Sequence, residues 1–290
     1  MRLLVTGANG FLGRRLCRAL VAQGDEVFAL TKRAEAPPGT TRIEADLSLA
    51  LGKAKLPPVD TIVHLAQSAR FREFPAGAAD MFAVNLRASF ELLEFARRSG
   101  VKRFVYASSG GIYGQGSEAF SDAEPVVMRD PLGFYLSTKL AGEIIVDSYA
   151  ALFSTAILRI FFAYGPGQQS DRLIPRLLDS VRHGRPIVLD GEDGLAINPI
   201  YVDDAIAIFL RILAHSDSFK VNLAGAETLT LKEIGNLLGE IVGRAPVYER
   251  RPVRQSPRLV GDISALVAKL GYRPGIGFRE GARRLADGEL

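Results

Sequence analysis

The sequence predicts an α/β fold in which a parallel sheet is covered by helices on both faces, followed by a smaller C-terminal α/β lobe. Three observations predict it. Short apolar runs alternate with amphipathic helical patterns through the first half of the 290-residue chain. A turn with regularly spaced glycines joins the first strand to the first helix. The alternation loosens after about Ser109 and resumes in shorter pieces beyond Leu173. Alternation of this kind implies parallel strands linked by right-handed helical crossovers.

Residues 3–6 form the first expected strand. Residues 11–23 have helical spacing through Leu12, Leu16, Leu20 and Val21, and Gly24 ends that helix. Further strands are expected at residues 27–30, 61–65 and 104–107. Between the last two, residues 81–98 read as a helix stepping through Leu86, Phe90, Leu93 and Ala96 or Arg97. Residues 110–130 are rich in Gly, Ser, Asp and Pro and read as a long surface loop, which in a compact α/β domain is more often functional than decorative. A helix from about residue 132 to 152, a strand at 155–160 and a Gly-Pro turn at 164–167 follow. The later elements are helices at 205–213 and 231–242 and a strand at 221–223. The expected division is a dinucleotide-binding domain over residues 1–165, with about 187–222 returning to it. Residues 166–290 then form mainly the smaller, substrate-binding lobe.

Composition narrows the classes of function. Hydrophobic residues make up 48% and charged residues 23%, the balance of a globular chain. The net charge of +4 comes from scattered Lys and Arg with no basic stripe carrying aromatics, so nucleic acid is not an expected partner. Cys17 is the single cysteine, which excludes an internal disulfide and reads as a small buried residue. His64, His183 and His215 lie far apart without ligand spacing, so no metal is expected. No apolar run approaches the roughly twenty residues of a membrane span. With the first strand starting at residue 3, no targeting segment is expected and the cytoplasm is the expected location.

Gly7-Ala8-Asn9-Gly10-Phe11-Leu12-Gly13 leaves the first strand and opens the first helix. Gly7 suits a tight turn with positive backbone angles, Gly10 lets the main chain approach a pyrophosphate, and Gly13 lets helix and strand pack closely. The free N–H groups and the positive helix end then face the phosphates. The expected contacts are Gly7, Asn9, Gly10, Phe11, Leu12 and Gly13. The glycines fall at intervals of three, unlike the compact Gly-x-Gly-x-x-Gly pattern. In this the sequence resembles the extended short-chain dehydrogenase/reductase family, whose members include nucleotide-sugar epimerases, dehydratases and ketoreductases. The resemblance covers nearly the whole chain and implies a Rossmann-type doubly wound sheet and an NAD(P) cofactor.

The end of the second strand discriminates between the two cofactors. An acidic residue there would bind the ribose hydroxyls of NAD. Thr31, Lys32 and Arg33 stand there instead, and a base can pair with the 2′-phosphate of NADP, which gives a modest preference for NADP over NAD. The same two charges also read as ordinary solvated loop residues. Asp46, with Leu47 beside it, resembles the family position that contacts adenine. Leu65-Ala66-Gln67 resembles the segment passing under the cofactor, and Asn85 is counted with these contacts.

Tyr135 and Lys139 are four residues apart, hence on one helical face. A neighbouring cation favours the phenolate, so Tyr135 is the expected proton carrier and Lys139 the residue that tunes it and holds the nicotinamide ribose. Taken alone, such a pair also arises by chance on amphipathic helices. Ser109 ends an apolar strand at the carboxyl edge where open α/β sheets bind ligands, and is the expected donor to a substrate oxygen. The segment Tyr106-Ala107-Ser108-Ser109-Gly110-Gly111-Ile112-Tyr113-Gly114 resembles the family's active-site strand.

Departures from the family pattern limit the chemistry. Family 4,6-dehydratases have an acidic pair just after the catalytic hydroxyl residue, where this chain has Gly110 and Gly111, so dehydration is not expected. Many nucleotide-sugar members have asparagine at Phe162, and a phosphate-binding arginine at Ile197; Arg251, in Arg250-Arg251-Pro252, resembles a replacement. The expected substrate residues are therefore Ser109, Gly110, Gly111, Tyr135, Phe162 and Arg251, and Phe162, in a segment that resembles the one closing over the nicotinamide, is also an expected cofactor contact. The resemblance implies an epimerase or ketoreductase of a nucleotide sugar, and a homodimer. Two alternatives remain: an NADP-dependent reductase or dehydrogenase of a non-nucleotide alcohol or carbonyl compound, and a non-catalytic dinucleotide-sensing module. The latter would be marked by a broken catalytic group beside an intact glycine turn.

Overall fold

A computed structural model describes residues 1–123, 125–126, 133–253 and 257–288, the side chain of residue 53 apart. The chain begins with β1 (Arg2–Thr6), α1 (Phe11–Ala22), β2 (Glu26–Thr31), β3 (Thr41–Glu44) and β4 (Thr61–His64). There follow α2 (Ala78–Phe82), a π-helical turn (Ala83–Arg87), α3 (Ala88–Ser99), β5 (Arg103–Ser109), α4 (Gly133–Ser148) and β6 (Ser154–Ile160). The later elements are α5 (Leu173–His183), β7 (Pro186–Asp190), β8 (Ala196–Ile197), α6 (Val202–Leu213), β9 (Phe219–Leu223), β10 (Leu229–Thr230) and α7 (Leu231–Val242). The last are β11 (Val247–Arg251), β12 (Arg258–Leu259), α8 (Ser264–Leu270) and α9 (Phe278–Asp287).

Two compact units result. The first comprises Met1–Ile112, Asp130–Arg159 and Phe209–Val221, and the second Tyr113–Arg129, Ile160–Ile208 and Asn222–Leu290. The first unit is built on a parallel seven-stranded sheet in the order β3-β2-β1-β4-β5-β6-β9. Leu3 pairs with Val27 on one side and Thr61 on the other, and Thr61 pairs in turn with Arg103. Strands covered on both faces read as continuous apolar runs, which is why Leu3, Leu4 and Val5 are all fully buried. Leu4, Phe28, Ile62, Phe104 and Ile157 of the strands share one cluster with Leu92, Leu93 and Ala96 of α3. The winding reverses between β1 and β4, and at such a switch point the carboxyl ends of the strands leave a ligand crevice.

Two elements depart from expectation. The helix expected at 81–98 begins at Ala78 and is interrupted by the π-helical turn, which places Asn85 in the fold interior at 1% exposure. The expected surface loop opens with a 3₁₀ turn, Gly110–Tyr113, and its next stretch is tied down within the second unit. There Gly116 N donates to Arg258 O at 2.9 Å, Phe120 N to Val260 O at 2.8 Å, and Phe120 stacks on Tyr113. Polar composition reads as a surface loop, and backbone pairing that no local signal encodes anchors it. Residues 124 and 127–132, including the expected helix start at 132, lie outside the described residues.

The second unit carries a parallel pair, β7 with β11, and a three-stranded sheet in the order β10-β8-β12. Its helix α7 starts where the sequence dictates: Thr230 Oγ1 accepts from Glu233 N while Glu233 accepts from Thr230 N, a reciprocal cap. Among the described residues no helix is long and apolar enough to cross a membrane.

Candidate active site

Gly7 turns the chain out of β1 with φ +65°, and a Cβ there would meet Ala66 N at 2.9 Å. A Cβ on Gly13 would come within 2.2 Å of Gly7 O, so only glycine lets α1 pack onto the turn. Gly10 N donates to Gly7 O at 2.8 Å, and Arg14 N to Gly10 O at 3.1 Å. Gly10 caps α1 without a side-chain hydrogen bond, leaving the first helical N–H groups of Phe11, Leu12 and Gly13 aimed along the helix axis. A Cβ on Gly10 would meet only Gly7 O, at 3.0 Å, so the face of the turn at the helix start is open, which fits a pyrophosphate.

Asn9 fastens this turn to the end of β2: its Nδ2 donates to Thr31 Oγ1 at 2.9 Å and to Glu35 O at 2.7 Å. Thr31 is buried, whereas Lys32 and Arg33 are exposed. Lys32 Nζ lies 3.3 Å from Asp46 Oδ2, and Asp46 Oδ1 accepts from Ser48 N and Oγ. Partial burial pushes the Asp46 carboxyl up, but the Ser48 and Lys32 contacts outweigh it and hold its pKa below the ordinary value. Leu47 beside it is buried.

The segment after β4 is held from two sides. Ser89 Oγ donates to Asn85 O at 2.7 Å, so the 2.9 Å contact of His64 Nε2 with Ser89 Oγ assigns the ring proton to Nε2. Nδ1 then accepts from Thr6 Oγ1 at 2.6 Å, and Thr6 Oγ1 accepts from Ala66 N at 3.2 Å. Burial, with the Lys139 charge adding to it, pushes the His64 pKa down to about 3, so the ring is neutral. On the other side, Ser68 N donates to Asn85 Oδ1 at 2.8 Å and Asn85 Nδ2 to Thr138 Oγ1 at 3.0 Å. Asn85 therefore joins the loop at Ser68 to α4, with both ends of its amide engaged by protein. Leu65 and Gln67 are half-buried between these fastenings.

Ser109 is the last residue of β5, and its Oγ accepts from Gly111 N at 3.2 Å, which leaves its proton to be donated elsewhere. A Cβ on Gly111 would meet Leu136 Cδ2 at 2.9 Å and Ser109 Oγ at 3.3 Å, so Ser109 and the Tyr135 turn of α4 adjoin. An acidic side chain at 111 would have to displace Leu136. Gly110 is buried in the same turn. Lys139 is 2% exposed; its Nζ donates to Ala107 O at 2.9 Å and lies 5.3 Å from the Tyr106 ring centroid. Burial pushes the Lys139 pKa down to about 8, partly offset by Glu143. Glu143, one turn further on, is paired with Arg159 of β6 at 2.8 Å with both side chains buried. Tyr135 Oη donates to Gln67 Oε1 at 2.9 Å, and its ring meets Phe71 edge-on.

The first unit thus brings together the glycine turn, Thr31, Asp46, residues 65–67, Ser109, Tyr135 and Lys139. Phe162 and Arg251 belong to the second unit. Phe162 is the one non-glycine residue at positive φ among the described residues, at +42°, a conformation in which asparagine is far more comfortable. Arg251 is exposed at the end of β11, and Ile197 of β8 is fully buried. Sequence reasoning missed the Gln67–Tyr135 bond, the fastening role of Asn85 and the Arg159–Glu143 pair. The available signal for the pair was the charge of Arg159 in the apolar run of β6, with Glu143 among the charges of α4.

A dinucleotide turn after β1 and a Tyr–Lys pair on the helix beside the end of β5 are the arrangement of the extended short-chain dehydrogenases/reductases, enzymes that work with NAD. The chain belongs to the NAD dependent epimerase/dehydratase family, which matches residues 3–224. It is 26% identical to a probable UDP-glucuronate 4-epimerase of Rhizobium meliloti, over 99% of this chain and 96% of the relative. It is 29% identical to a dTDP-4-dehydro-6-deoxy-D-allose reductase of a Streptomyces species, covering 93% and 91%. The Thermus thermophilus UDP-glucose 4-epimerase, solved with NAD, superposes with a TM-score of 0.83 at 28% identity, over 99% of this chain and 98% of that one.

Proposed function

We propose that this protein moves hydride between a nicotinamide dinucleotide and a nucleotide sugar, as an epimerase or ketoreductase. The observation that carries the reading is the buried Lys139 ammonium on Ala107 O, one helical turn after Tyr135 and beside the strand that ends at Ser109. A bound nicotinamide would supply or accept the hydride. Ser109 donates its hydroxyl proton to the reacting sugar oxygen, and Tyr135 gives that oxygen a proton or takes one from it. Lys139 holds the ribose and favours the tyrosinate by its charge. Phe11, Leu12 and Gly13 offer their N–H groups to the pyrophosphate, and Asn9 keeps the turn in register with β2. Gly110 and Gly111 argue against 4,6-dehydration, because they supply no acid in its place.

We read the cofactor as NADP in modest preference to NAD, because Thr31 offers no carboxylate to the ribose and Lys32 and Arg33 are exposed. Arg251 is our candidate phosphate contact of the substrate, and a homodimer accords with Phe82, Phe90 and Ile144 standing exposed on α2, α3 and α4. A second reading, a reductase or dehydrogenase of a non-nucleotide alcohol or carbonyl compound, is favoured by the burial of Ile197, which offers no charge to a diphosphate.

The test is Tyr135→Phe. Hydride transfer is expected to fall by roughly 10²–10⁴-fold while dinucleotide affinity stays within about threefold. Unchanged turnover removes Tyr135 from the chemistry. The dinucleotide that accompanies the purified protein separates the two branches: tightly retained NAD supports the epimerase, exchangeable NADPH the reductase.

A further inference from the structure

The Gln67–Tyr135 bond spans 68 residues of sequence and joins the one amide on the cofactor-floor segment to the expected proton carrier. The backbone of Gln67 is held on both flanks, by Ala66 N on Thr6 Oγ1 and Ser68 N on Asn85 Oδ1. Its side chain therefore starts from a fixed point. The Tyr135 ring is confined from the same loop by Phe71, with centroids 5.4 Å apart. A carboxamide oxygen has no proton to give, so a phenol bonded to it keeps its own.

We infer that Gln67 is a positioning residue for Tyr135: its side-chain carbonyl holds the tyrosine at rest in its neutral form, the form that can turn its proton to a carbonyl oxygen rather than deprotonate an alcohol. This rests on the proposal that Tyr135 is the proton carrier, and it selects ketone reduction over epimerisation. In the reductive step the carbonyl carbon gains a hydride from the reduced dinucleotide, and the C=O π pair moves onto oxygen. That oxygen takes the phenol proton, leaving an alcohol, the oxidised dinucleotide and a tyrosinate that solvent reprotonates. Among the described residues, the ionisable groups near the phenol include Tyr106 on β5, Lys139 one turn along its own helix, Arg72 over the Phe71 ring, and Asp80 of α2, which accepts from Ser68 Oγ. Lys139 pulls towards the phenolate and Gln67 opposes it.

Phenolate absorbance of the full-length protein, titrated with pH as the difference between each form and the same form carrying Tyr135→Phe, reads Tyr135 without any substrate. Gln67→Ala is expected to move the Tyr135 midpoint down by about half to one pH unit, the loss of one ordinary hydrogen bond to the neutral form. Gln67→Glu, similar in shape but anionic, is expected to move it up. Coincident midpoints in both variants overturn the inference, and so does an upward shift in Gln67→Ala, since the amide nitrogen would then be donating to the phenolate. With NADPH and a dTDP-4-keto-6-deoxy sugar as the carbonyl probe, Gln67→Ala is expected to lose rate earliest on the alkaline side. Failure of the function assigned to Tyr135 is separable: it leaves hydride transfer equal in wild type and Tyr135→Phe, whereas failure of the Gln67 role leaves the titration unmoved.

Discussion

At the end of β5, Lys139 is 2% exposed and rests on a backbone carbonyl, with the Glu143–Arg159 pair buried one turn along α4. At the end of β2, the Lys32 side chain is 67% exposed and its partner Asp46 31%. Both regions lie in the first unit, and both combine a lysine with a carboxylate. Burial governs the first: removing water from Lys139 shifts its titration to about 8, and no counter-ion fully restores it. Solvent governs the second, where screening leaves an exposed pair worth little. The end of β5 is therefore electrostatically preset, and the end of β2 is adjustable at small cost in stability.

The largest expected effect tests the buried end. Arg159→Met leaves the buried Glu143 carboxylate without its hydrogen-bonded ion-pair partner and is expected to cost about 3–5 kcal/mol of unfolding free energy, measured by denaturant titration. The double change Glu143→Met with Arg159→Met is expected to recover most of that loss. A single variant as stable as wild type would mean that water reaches Glu143.

The next test uses pH. Burial lowers the Lys139 pKa from 10.5 to about 8, so between those values the unfolded chain binds more protons than the folded one. Stability contributed by this group therefore rises as pH climbs through about 8 and levels off above 10.5. Lys139→Met lacks that rise, and the wild-type-minus-variant stability is expected to grow across the window by up to about 3 kcal/mol. A difference independent of pH would place the Lys139 ammonium in solvent.

The smallest expected effect belongs to the exposed end. Lys32→Ala is expected to change unfolding free energy by less than about 0.5 kcal/mol. It is expected to weaken NADP(H) by about three- to tenfold with NAD(H) nearly unchanged, as read by calorimetry. Equal losses for both cofactors would return Lys32 to the role of a surface charge and withdraw the NADP preference.

Much of this architecture follows from local rules that a linear reading obeys. The apolar runs of β1, β4 and β5, the three glycines and the four-residue spacing of Tyr135 and Lys139 depend on backbone geometry over a few residues. Other features depend on partners far apart in sequence. Asn85 is legible as a polar residue among the apolar positions Met81, Val84, Ala88 and Leu92 of an amphipathic helix, but its partners Ser68 and Thr138 lie 17 and 53 residues away. The stretch from Tyr113 to Phe120 looks like a loop by composition, yet its backbone pairs with residues 258–261.

The sequence by itself determined the class of fold, the glycine turn after β1 and the order of Ser109, Tyr135 and Lys139. Propensity, periodicity and the absence of a Cβ act within a turn or two of chain. Only the tertiary structure decided the protonation state of His64, the burial that tunes Lys139, the pairing of Lys32 with Asp46 and the bond from Tyr135 to Gln67. Each depends on the removal of water or the approach of a distant group, and both arise only when the sheet closes and brings the carboxyl ends of its strands together.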